Sequence, residues 1–547
     1  MKGAMKNSAN FVPLTPLTFL DRSAILYQDS TSIIYGDIRH SWSQTRDRCL
    51  KLAAALTDRF GITYGDVVAV IAPNVPAMYE LHFGVPMAGA VLCTLNIRHD
   101  AAMISSLLAH SEAKVFFVDR EFLRTAREAL DLLPKRNIHP PAMILINDTD
   151  SIGSTIHIEY ETFLKTGNPK FQPRFPKDEN DPISLNYTSG TTSSPKGVIY
   201  SHRGAFLNSI STILLNEMPS LPVYLWCVPM FHCNGWCFTW TLAAVSGTNV
   251  CIRQVRVKEL HQAIETHRVS HFCAAPVVLN SIVNEKIPTL PHVVHVMTAG
   301  AAPPPSILSA ASDIGFHITH TYGLSETYGP SVVCAWKPEW DSLPPATKAR
   351  LKARQGVRYV GLESLDVIDS GTGTPVPTDG KTIGEIVMRG NVVMKGYLRN
   401  PEANKEAFAD GWFHSGDLAV KHGDNYIEIK DRSKDIIISG GENISSLEVE
   451  NVIYGHPNVF EVSVVARADD RWGESPCAFV TLKDDVDSSN EERVAEEIVR
   501  FCREKMPAFC VPKSVVFGVL PKTATGKIQK HVLRERARAM GPIKSKL

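Results

Sequence analysis

The 547-residue sequence predicts an α/β protein with a large N-terminal domain and a small, mobile α+β C-terminal domain. In the first third, short valine- and isoleucine-rich runs alternate with helical patterns, which is typical of parallel strands joined by crossover helices. After about residue 355 the runs shorten and turn residues become frequent. The large domain is therefore expected to combine parallel-rich α/β subdomains with a β-rich subdomain. A chain of this length, 44% hydrophobic, can hold three or more folding units.

The first predicted strands are VVAVIAP (67–73), KVFFVD (114–119) and AMILIND (142–148). Helical patterns follow the first two, at 77–90 and in the amphipathic segment that ends at Leu133. ISLNYT (183–188) predicts a further strand, and SHRGAFLNSISTILL (201–215) predicts a helix. The loop between them is expected at the carboxyl end of a strand, where α/β folds bind ligands.

The C-terminal part predicts shorter elements in a compact domain. Strands are expected at GEIVMRG (384–390) and YIEIKDR (426–432). A helix (446–456), two strands (462–467 and 476–484) and a second helix (490–505) then follow a glycine-paired, charged stretch. We therefore predict an N-terminal domain over 1–431 and a C-terminal domain of roughly 110 residues.

Composition narrows the function classes. Lys+Arg and Asp+Glu each total 57 and no long basic run occurs, so nucleic acid is not an expected partner. The 11 cysteines include no CxxC pair, which favours a reducing compartment over a disulfide framework or a zinc ribbon. The apolar segment 223–245 is interrupted by Pro229, His232, Asn234 and Gly235. It therefore predicts a buried wall and not a membrane span.

The stretch YTSGTTSSPKG (187–197) has the composition of a phosphate-binding loop. Hydroxyl side chains, glycines and one lysine, Lys196, suit a polyanion. The spacing departs from a P-loop, which requires Gly-Lys-Ser/Thr where this chain has Pro195-Lys196-Gly197. From these residues alone, a solvated serine-threonine turn remains an alternative.

Six motifs in order resemble the adenylate-forming acyl-CoA synthetases, the superfamily that includes firefly luciferases and peptide-synthetase adenylation domains. The motifs span nearly the whole chain and are YTSGTTSSPKG (187–197), TAGAAP (298–303), TYGLSET (321–327), GWFHSGDLA (411–419), DRSKDIIISGGENIS (431–445) and PKTATGKIQK (521–530). Together with the N-terminal sequence and the C-terminal SKL, they resemble plant peroxisomal acyl-activating enzymes, the branch with benzoate, cinnamate and short-chain fatty-acid CoA ligases.

The resemblance implies an ATP- and Mg²⁺-dependent ligase that forms an acyl-adenylate and then an acyl-CoA thioester. A carboxylate is a poor acyl donor, so AMP transfer from ATP supplies a leaving group and expels pyrophosphate. Hydroxyls, backbone N–H groups, a metal ion and lysines are the groups that stabilise this charge. The expected small molecules are therefore ATP, Mg²⁺, coenzyme A and a small carboxylic acid.

The resemblance also implies the nucleotide site. Glu326 is the expected Mg²⁺ ligand, and Asp417 the acceptor of the ribose hydroxyls with Arg432 nearby. By their residue types alone, Glu326 also suits a helix cap and Asp417 an ordinary turn. Residues expected against phosphates or adenine are Thr188, Ser189, Gly190, Thr191, Thr192, Lys196, Gly300, Ala301, Ala302, Thr321, Tyr322 and Ser325.

By the same resemblance Lys527 is the catalytic residue for adenylation. A hinge at 432–435, centred on Lys434, then turns the domain 436–547 so that Gly440, Gly441 and Trp472 face coenzyme A. By itself the glycine pair also fits a hairpin turn, and Trp472 a packed side chain.

By resemblance, His232 matches a gating position beside the acyl pocket, whereas the residues alone favour a buried, satisfied histidine. We reject a zinc site with Cys233 and Cys237, because further ligands are lacking. The predicted substrate is a cinnamate- or benzoate-type acid, with short- or medium-chain fatty acids as the alternative and a non-CoA acceptor as a weaker one. Ser545-Lys546-Leu547 matches the address read by the peroxisomal import receptor, so a peroxisomal location is expected.

Overall fold

The computed structural model describes residues 6–147, 158–188, 195–285, 287–300, 303–484, 486, 491–523 and 526–544. Its strands form four sheets. In chain order the strands are β1 (Thr31–Tyr35), β2 (Ile38–Ser41), β3 (Val67–Ile71), β4 (Val91–Thr94), β5 (Val115–Asp119), β6 (Ala142–Ile146), β7 (Ile158–Glu159), β8 (Pro182–Tyr187), β9 (Gly197–Ser201), β10 (Val223–Trp226), β11 (Thr248–Cys251), β12 (His271–Ala274), β13 (Val294–Thr298), β14 (Phe316–Leu324), β15 (Gly329–Val333), β16 (Val357–Arg358), β17 (Leu362–Ile368), β18 (Gly384–Gly390), β19 (Gly396–Tyr397), β20 (Phe413–Lys421), β21 (Ile427–Arg432), β22 (Ile437–Ser439), β23 (Glu442–Ile444), β24 (Val459–Asp469), β25 (Gly473–Leu482) and β26 (Ser514–Phe517).

The helices flank these sheets. They are α1 (Leu17–Leu26), α2 (Trp42–Phe60), α3 (Pro76–Met87), α4 (Ala101–Ser111), α5 (Leu123–Leu132), α6 (Tyr160–Lys165), α7 (His202–Leu215), α8 (Cys233–Trp236), α9 (Phe238–Ala244), α10 (Val257–His267), α11 (Pro276–Asn284), α12 (Pro305–Ile314), α13 (Pro345–Lys352), α14 (Pro401–Ala407), α15 (Ser446–Tyr454), α16 (Glu491–Arg503) and α17 (Lys530–Ala539). The one-turn segment α8 is left-handed, unlike the others.

Two large sheets carry the α/β character predicted from the sequence. The first has the strand order β16-β15-β14-β13-β12-β10-β11-β1-β2, and its central strands from β14 to β1 are parallel. The second has the order β19-β9-β8-β4-β3-β5-β6-β7, with β8 to β7 parallel. Parallel sheets are covered on both faces, which explains the almost continuously apolar strands.

Local signals set several helix boundaries. Ser41 and Gln44 form a capping box at the start of α2, and Gly61, with φ of +62°, ends that helix. Pro76 occupies the first turn of α3, where its missing N–H costs nothing. Helices α2, α3 and α9 then bury large side chains in a core that includes Leu52, Phe83 and Trp240.

The remaining sheets are smaller. A third, antiparallel sheet has the order β17-β18-β20-β21 and forms the β-rich subdomain. The fourth has the order β23-β22-β25-β24, with β26 parallel to β25, and α15, α16 and α17 complete this small α+β domain. The predicted fold class is therefore confirmed.

One connection differs from the sequence expectation. The loop after ISLNYT leads into the short strand β9, which pairs antiparallel with β8, and only then into α7. The sequence GVIYS was too short to separate from the helical pattern after it. The loop nevertheless begins at the carboxyl end of β8, a strand parallel to β4, as the sequence predicted.

The apolar segment 223–245 forms β10 and the buried segments α8 and α9, which line the interior as predicted. Across the described ranges, no helix is both long and apolar enough to cross a bilayer.

Candidate active site

A buried carboxylate lies where the first and third sheets meet. Asp417, on β20, is 5% exposed and accepts a 2.6 Å hydrogen bond from the Tyr322 hydroxyl on β14. Its other oxygen lies 3.4 Å from Nε of Arg432, its register partner on β21. The antiparallel pairing of β20 with β21 therefore fixes the guanidinium beside the carboxylate, as the sequence predicted.

The small domain brings Lys527 to this carboxylate. Burial, reinforced by the positive charge of Arg432 and offset in part by Asp417, lowers the pKa of Lys527 to about 7. The Lys527 N–H donates to the Thr523 hydroxyl at 3.1 Å, and the Thr523 N–H donates to the Lys527 carbonyl at 2.7 Å. These bonds close the turn that leads into Lys527.

Contacts across the domain boundary hold this turn in place. The Arg98 guanidinium donates to the carbonyl oxygens of Lys522, at 3.2 Å, and Thr523, at 2.7 Å. Gly526, with φ of +80°, approaches α11 so closely that a Cβ there would lie 2.3 Å from Cγ1 of Val277. The described orientation therefore places Lys527 in the site.

His232 lies close enough to Lys527 to feel its charge. Burial, with the nearby Lys527 cation as the second cause, lowers the pKa of His232 to about 4, so its imidazole is neutral near pH 7. His232 lines a small cavity between the domains that is partly open to solvent. The other lining residues are Thr94, Asn96, His99, Tyr187, Phe231 and Thr523.

Thr188 and Lys196 mark the base of the predicted phosphate loop. The Thr188 N–H donates to the Lys196 carbonyl at 3.0 Å, and the Lys196 N–H donates to the Thr188 hydroxyl at 3.4 Å. The Lys196 ammonium lies 4.7 Å from the centre of the Tyr397 ring. The predicted ligands Ser189, Gly190, Thr191 and Thr192 lie outside the described residues.

Glu326 follows β14 in a short 3₁₀ turn, Ser325–Thr327. Its carboxylate accepts a 2.8 Å hydrogen bond from the Tyr397 hydroxyl, and burial raises its pKa. The Ser325 hydroxyl lies 3.3 Å from Sγ of Cys233. The motif TYGLSET thus contacts both Asp417, through Tyr322, and the segment after His232, through Ser325.

The adenine-side residues are only partly described. Gly300 is exposed, with φ of +90°, whereas Ala301 and Ala302 lie outside the described residues. The Thr321 hydroxyl is buried and donates to the Thr298 carbonyl at 3.3 Å, a contact between neighbouring strands. Thr321 therefore contributes to the sheet that supports the site.

Gly440 and Gly441 form the turn of an exposed hairpin between β22 and β23, with φ of +59° and +89°. The Gly440 N–H donates to the Trp472 carbonyl at 2.8 Å, and the Trp472 ring, 43% exposed, covers this glycine. Partial desolvation of its ammonium group and the neighbouring Arg432 cation lower the pKa of Lys434 to about 8. The structure thus brings Trp472 to the glycine pair.

Two protein-family models match the sequence. The family model of the AMP-binding enzyme matches residues 20–398, and that of the AMP-binding enzyme C-terminal domain matches residues 448–527. The chain belongs to the AMP-binding enzyme family. The predicted hinge at 432–435 lies between the two matched regions.

Plant CoA ligases are among the similar sequences of this AMP-binding enzyme. Acetate–CoA ligase CCL3 of Humulus lupulus is 62% identical, covering 98% of this chain and 97% of that relative. The peroxisomal acetate/butyrate–CoA ligase AAE7 of Arabidopsis thaliana is 60% identical, with the same coverage of both chains. The peroxisomal trans-cinnamate:CoA ligase of Petunia hybrida is 50% identical, covering 98% and 96%. The protein is therefore an AMP-forming acyl-CoA synthetase that uses ATP, Mg²⁺ and coenzyme A.

Solved structures share the fold. An anthranilate CoA ligase, AuaEII, in complex with anthranoyl-AMP superposes with a TM-score of 0.85 at 22% identity, covering 97% of this chain and 99% of that one. A benzoate CoA ligase from Burkholderia xenovorans gives 0.81 at 21% identity, covering 95% and 99%. The α/β architecture with a small C-terminal domain is thus that of adenylate-forming enzymes.

The residues present fit a Mg²⁺ ion. Glu326 offers a hard oxygen ligand, and its raised pKa reflects a buried negative charge that a cation would stabilise. Among the described residues no group of three or more His, Cys, Asp or Glu side chains is arranged to hold a metal. Magnesium is held by one or two carboxylates with phosphate oxygens and water, so one glutamate suffices. When bound, the ion neutralises phosphate charge.

Sequence reasoning missed two residues of this site. Tyr397 connects Glu326 with Lys196, and Arg98 holds the turn before Lys527. Neither lies in the six motifs. The only local signal was their type: an aromatic residue in KGYLRN and a cation in NIRHD, each next to a strand or a helix start.

Proposed function

We propose that this acyl-CoA synthetase activates short-chain aliphatic carboxylic acids in preference to aromatic ones. Two similar plant proteins, at 62% and 60% identity, are described as acetate and acetate/butyrate ligases, whereas the cinnamate ligase is 50% identical. The sequence predicted a cinnamate- or benzoate-type acid, with short- or medium-chain fatty acids as the alternative. The proposal favours that alternative.

The packing of Trp236 carries the proposal. Trp236 follows His232 closely in the chain, and its side chain is 6% exposed. A Cβ at Gly329, which follows the TYGLSET turn, would lie 3.1 Å from Cα and 3.2 Å from Cβ of Trp236. The indole is thus packed against the backbone of Gly329, and we propose that it forms the wall that limits the length of the acyl chain. One methylene is worth about 1–3 kcal/mol of discrimination in such a pocket.

Within this function, Lys527 is proposed to bind the acyl carboxylate and α-phosphate during AMP transfer. Asp417 would accept the ribose hydroxyls, Thr188 and Lys196 would bind the departing pyrophosphate, and His232 would lie beside the acyl group. Neutral His232 has no charge to repel Lys527, which allows the two side chains to share the pocket.

The second half-reaction requires a different arrangement. We propose that the domain over 436–547 rotates about the hinge 432–435, centred on Lys434, and removes Lys527 from the site. The exposed hairpin of Gly440 and Gly441, with Trp472 against it, would then face the pantetheine arm. Glycine at both turn positions allows close approach of the arm.

A peroxisomal location is also proposed. The C-terminal Ser545-Lys546-Leu547, outside the described residues, matches the import address, and two of the similar plant enzymes are labelled peroxisomal. A fluorescent fusion that keeps this tripeptide free should enter peroxisomes. The same fusion without its last three residues should stay outside, and equal import of both would contradict the proposal.

A panel of acids tests the substrate. Pyrophosphate release should be measured with acetate, butyrate, 2-methylpropanoate, cinnamate and benzoate, each with and without coenzyme A. We expect a higher kcat/KM for acetate or butyrate than for cinnamate, and turnover that depends on coenzyme A. Higher kcat/KM for cinnamate would overturn the short-chain proposal.

The Trp236→Ala variant should raise kcat/KM for the larger acids and so reduce the difference in kcat/KM between acetate and cinnamate. Trp412→Ala, at a half-exposed indole just before β20, is the matched control and should leave the kcat/KM ratio between the acids unchanged. An unchanged ratio of kcat/KM for acetate to kcat/KM for cinnamate in Trp236→Ala would contradict the role of Trp236 as the wall.

A further inference from the structure

The five residues that follow His232 have an unusual backbone. Residues 233–237 all have left-handed dihedrals, with φ of 47°, 44°, 59°, 54° and 64°. A residue with a Cβ pays about 1–2 kcal/mol for this conformation, and Gly235 alone lacks one. Such a run persists only where the surrounding structure holds it.

Two side chains on neighbouring strands hold the backbone on either side of His232. The Thr94 hydroxyl on β4 donates to the carbonyl of Phe231 at 2.8 Å. Oδ1 of Asn186 on β8 accepts from the N–H of Asn234 at 3.2 Å. Thr94 and Asn186 are register partners. One rung of the second sheet therefore fixes the backbone on both sides of His232.

The side chain of Asn234 completes the arrangement from within the core. It is fully buried, and its Oδ1 accepts from the Ser184 hydroxyl and from Nδ2 of Asn186, each at 2.6 Å. Its Nδ2 donates to Nε2 of His82 at 3.1 Å. His82 in turn donates from Nδ1 to the Met78 carbonyl at 2.7 Å, which leaves Nε2 as an acceptor. The orientation of the Asn234 amide is thereby determined.

We propose that Asn234 is a positioning residue that fixes the His232 imidazole against the acyl-binding side of the site. Its partners Ser184 and Asn186 lie on β8, the strand that leads to Thr188 and the phosphate loop. The network therefore ties the position of His232 to the strand that carries the ATP-binding residues. This inference rests on the proposed role of His232 beside the acyl group.

The Asn234→Gly variant removes the side-chain amide and retains the backbone conformation, because glycine readily adopts left-handed dihedrals. We expect acid-dependent ligation at saturating ATP to fall roughly 10- to 100-fold, the effect of a small misplacement at a reacting centre. The KM for the acid should rise, whereas the KM for ATP should stay within about twofold. An unchanged KM for the acid with unchanged turnover would overturn the inference.

The control is Asn216→Ala, a buried asparagine at the end of α7 whose amide donates to the Thr212 carbonyl. It should lower the melting temperature and leave the KM for the acid unchanged. If Asn234→Gly does not fold, Ser184→Ala decides, since it removes one donor to Oδ1. Ser184→Ala should then shift the KM for the acid in the same direction by a smaller factor, and no shift would overturn the inference.

A double-mutant cycle separates this inference from the role of His232. If Asn234 acts through His232, the double variant Asn234→Gly/His232→Ala should be no slower than His232→Ala alone. Multiplied losses would show an independent structural effect and overturn the inference. Full activity of His232→Ala would instead overturn the proposed role of His232, on which the inference depends.

Discussion

The Tyr322 hydroxyl donates a 2.6 Å hydrogen bond to the carboxylate of Asp417, a residue 95 positions later in the chain. This bond joins β14 of the first sheet to β20 of the third. Arg432 approaches the other carboxylate oxygen. The proposed ribose acceptor is therefore oriented by one group from each of two sheets.

Tyr322→Phe should weaken ATP binding. A hydrogen bond to a charged group contributes about 1.5–3 kcal/mol, so we expect a rise of roughly tenfold or more in the KM for ATP. The KM for the acid should change little. Tyr359→Phe is the control, because that buried hydroxyl lies 3.9 Å from Sδ of Met297 and not against a carboxylate. An unchanged KM for ATP in Tyr322→Phe would contradict this role.

Adenylation should depend on the protonation of Lys527. Its pKa in the free enzyme, lowered to about 7, means that the ammonium form is lost as the pH rises through neutrality. The kcat/KM for ATP in the pyrophosphate-release assay should therefore decrease above about pH 7. Lys434 is one of the cations that lower this pKa. Lys434→Gln should raise the pKa of Lys527 and move the decrease in kcat/KM to higher pH. The control Lys135→Gln, at an exposed lysine, should not.

Lys527→Ala should separate the two half-reactions. Adenylation, measured as acid-dependent pyrophosphate release, is expected to fall by roughly 10²- to 10³-fold, because the charge proposed to stabilise the α-phosphate during AMP transfer is lost. Thioester formation from supplied acyl-adenylate should be largely spared, because the proposed rotation would remove Lys527 from the site. Equal loss of both half-reactions would contradict the two-orientation model.

Gly526→Ala should hinder the orientation that places Lys527 in the site. The added Cβ would lie 2.3 Å from Cγ1 of Val277, and the φ of +80° disfavours alanine. We expect a larger loss of adenylation than of thioester formation. Val277→Ala removes the clashing methyl group, so the double variant should recover part of the lost rate. The strain at φ remains, so complete recovery is not expected.

Three buried histidines should make the fold sensitive to acid. Burial lowers the pKa values of His82, His202 and His320 to about 4. The unfolded chain takes up these protons near pH 6.5 and the folded protein only near pH 4. Stability is therefore unaffected above about pH 6.5 and falls between about pH 6.5 and 4, by up to about 1.4 kcal/mol per pH unit for each histidine.

Urea unfolding midpoints at several pH values in this window measure the effect. His202→Gln should reduce the pH dependence, although the variant also alters the contact with the Thr15 hydroxyl and lowers the midpoint near pH 7. His139→Gln, at an exposed histidine, is the control and should leave the pH dependence unchanged. The same pH dependence in His202→Gln and in the unmodified protein would contradict this assignment.

The sequence by itself determined the family and the class of fold. Six motifs in one order depend on residue identity along the chain, and they need no knowledge of contacts. The valine and isoleucine runs at β3, β5 and β6 likewise predicted parallel strands, because strands buried on both faces must be apolar throughout. Short elements such as β9 were not predicted, because a pattern of five residues is too short to distinguish a strand from the helix that follows it.

Only the tertiary structure decided how the site is assembled. It joined Tyr397 to Glu326, placed Arg98 on the turn that carries Lys527, and surrounded Asn234 with Ser184, Asn186 and His82. These partners are distant in the chain and of ordinary residue types. Local sequence cannot specify them, because their contacts arise from the register of paired strands and from the docking of one domain on another.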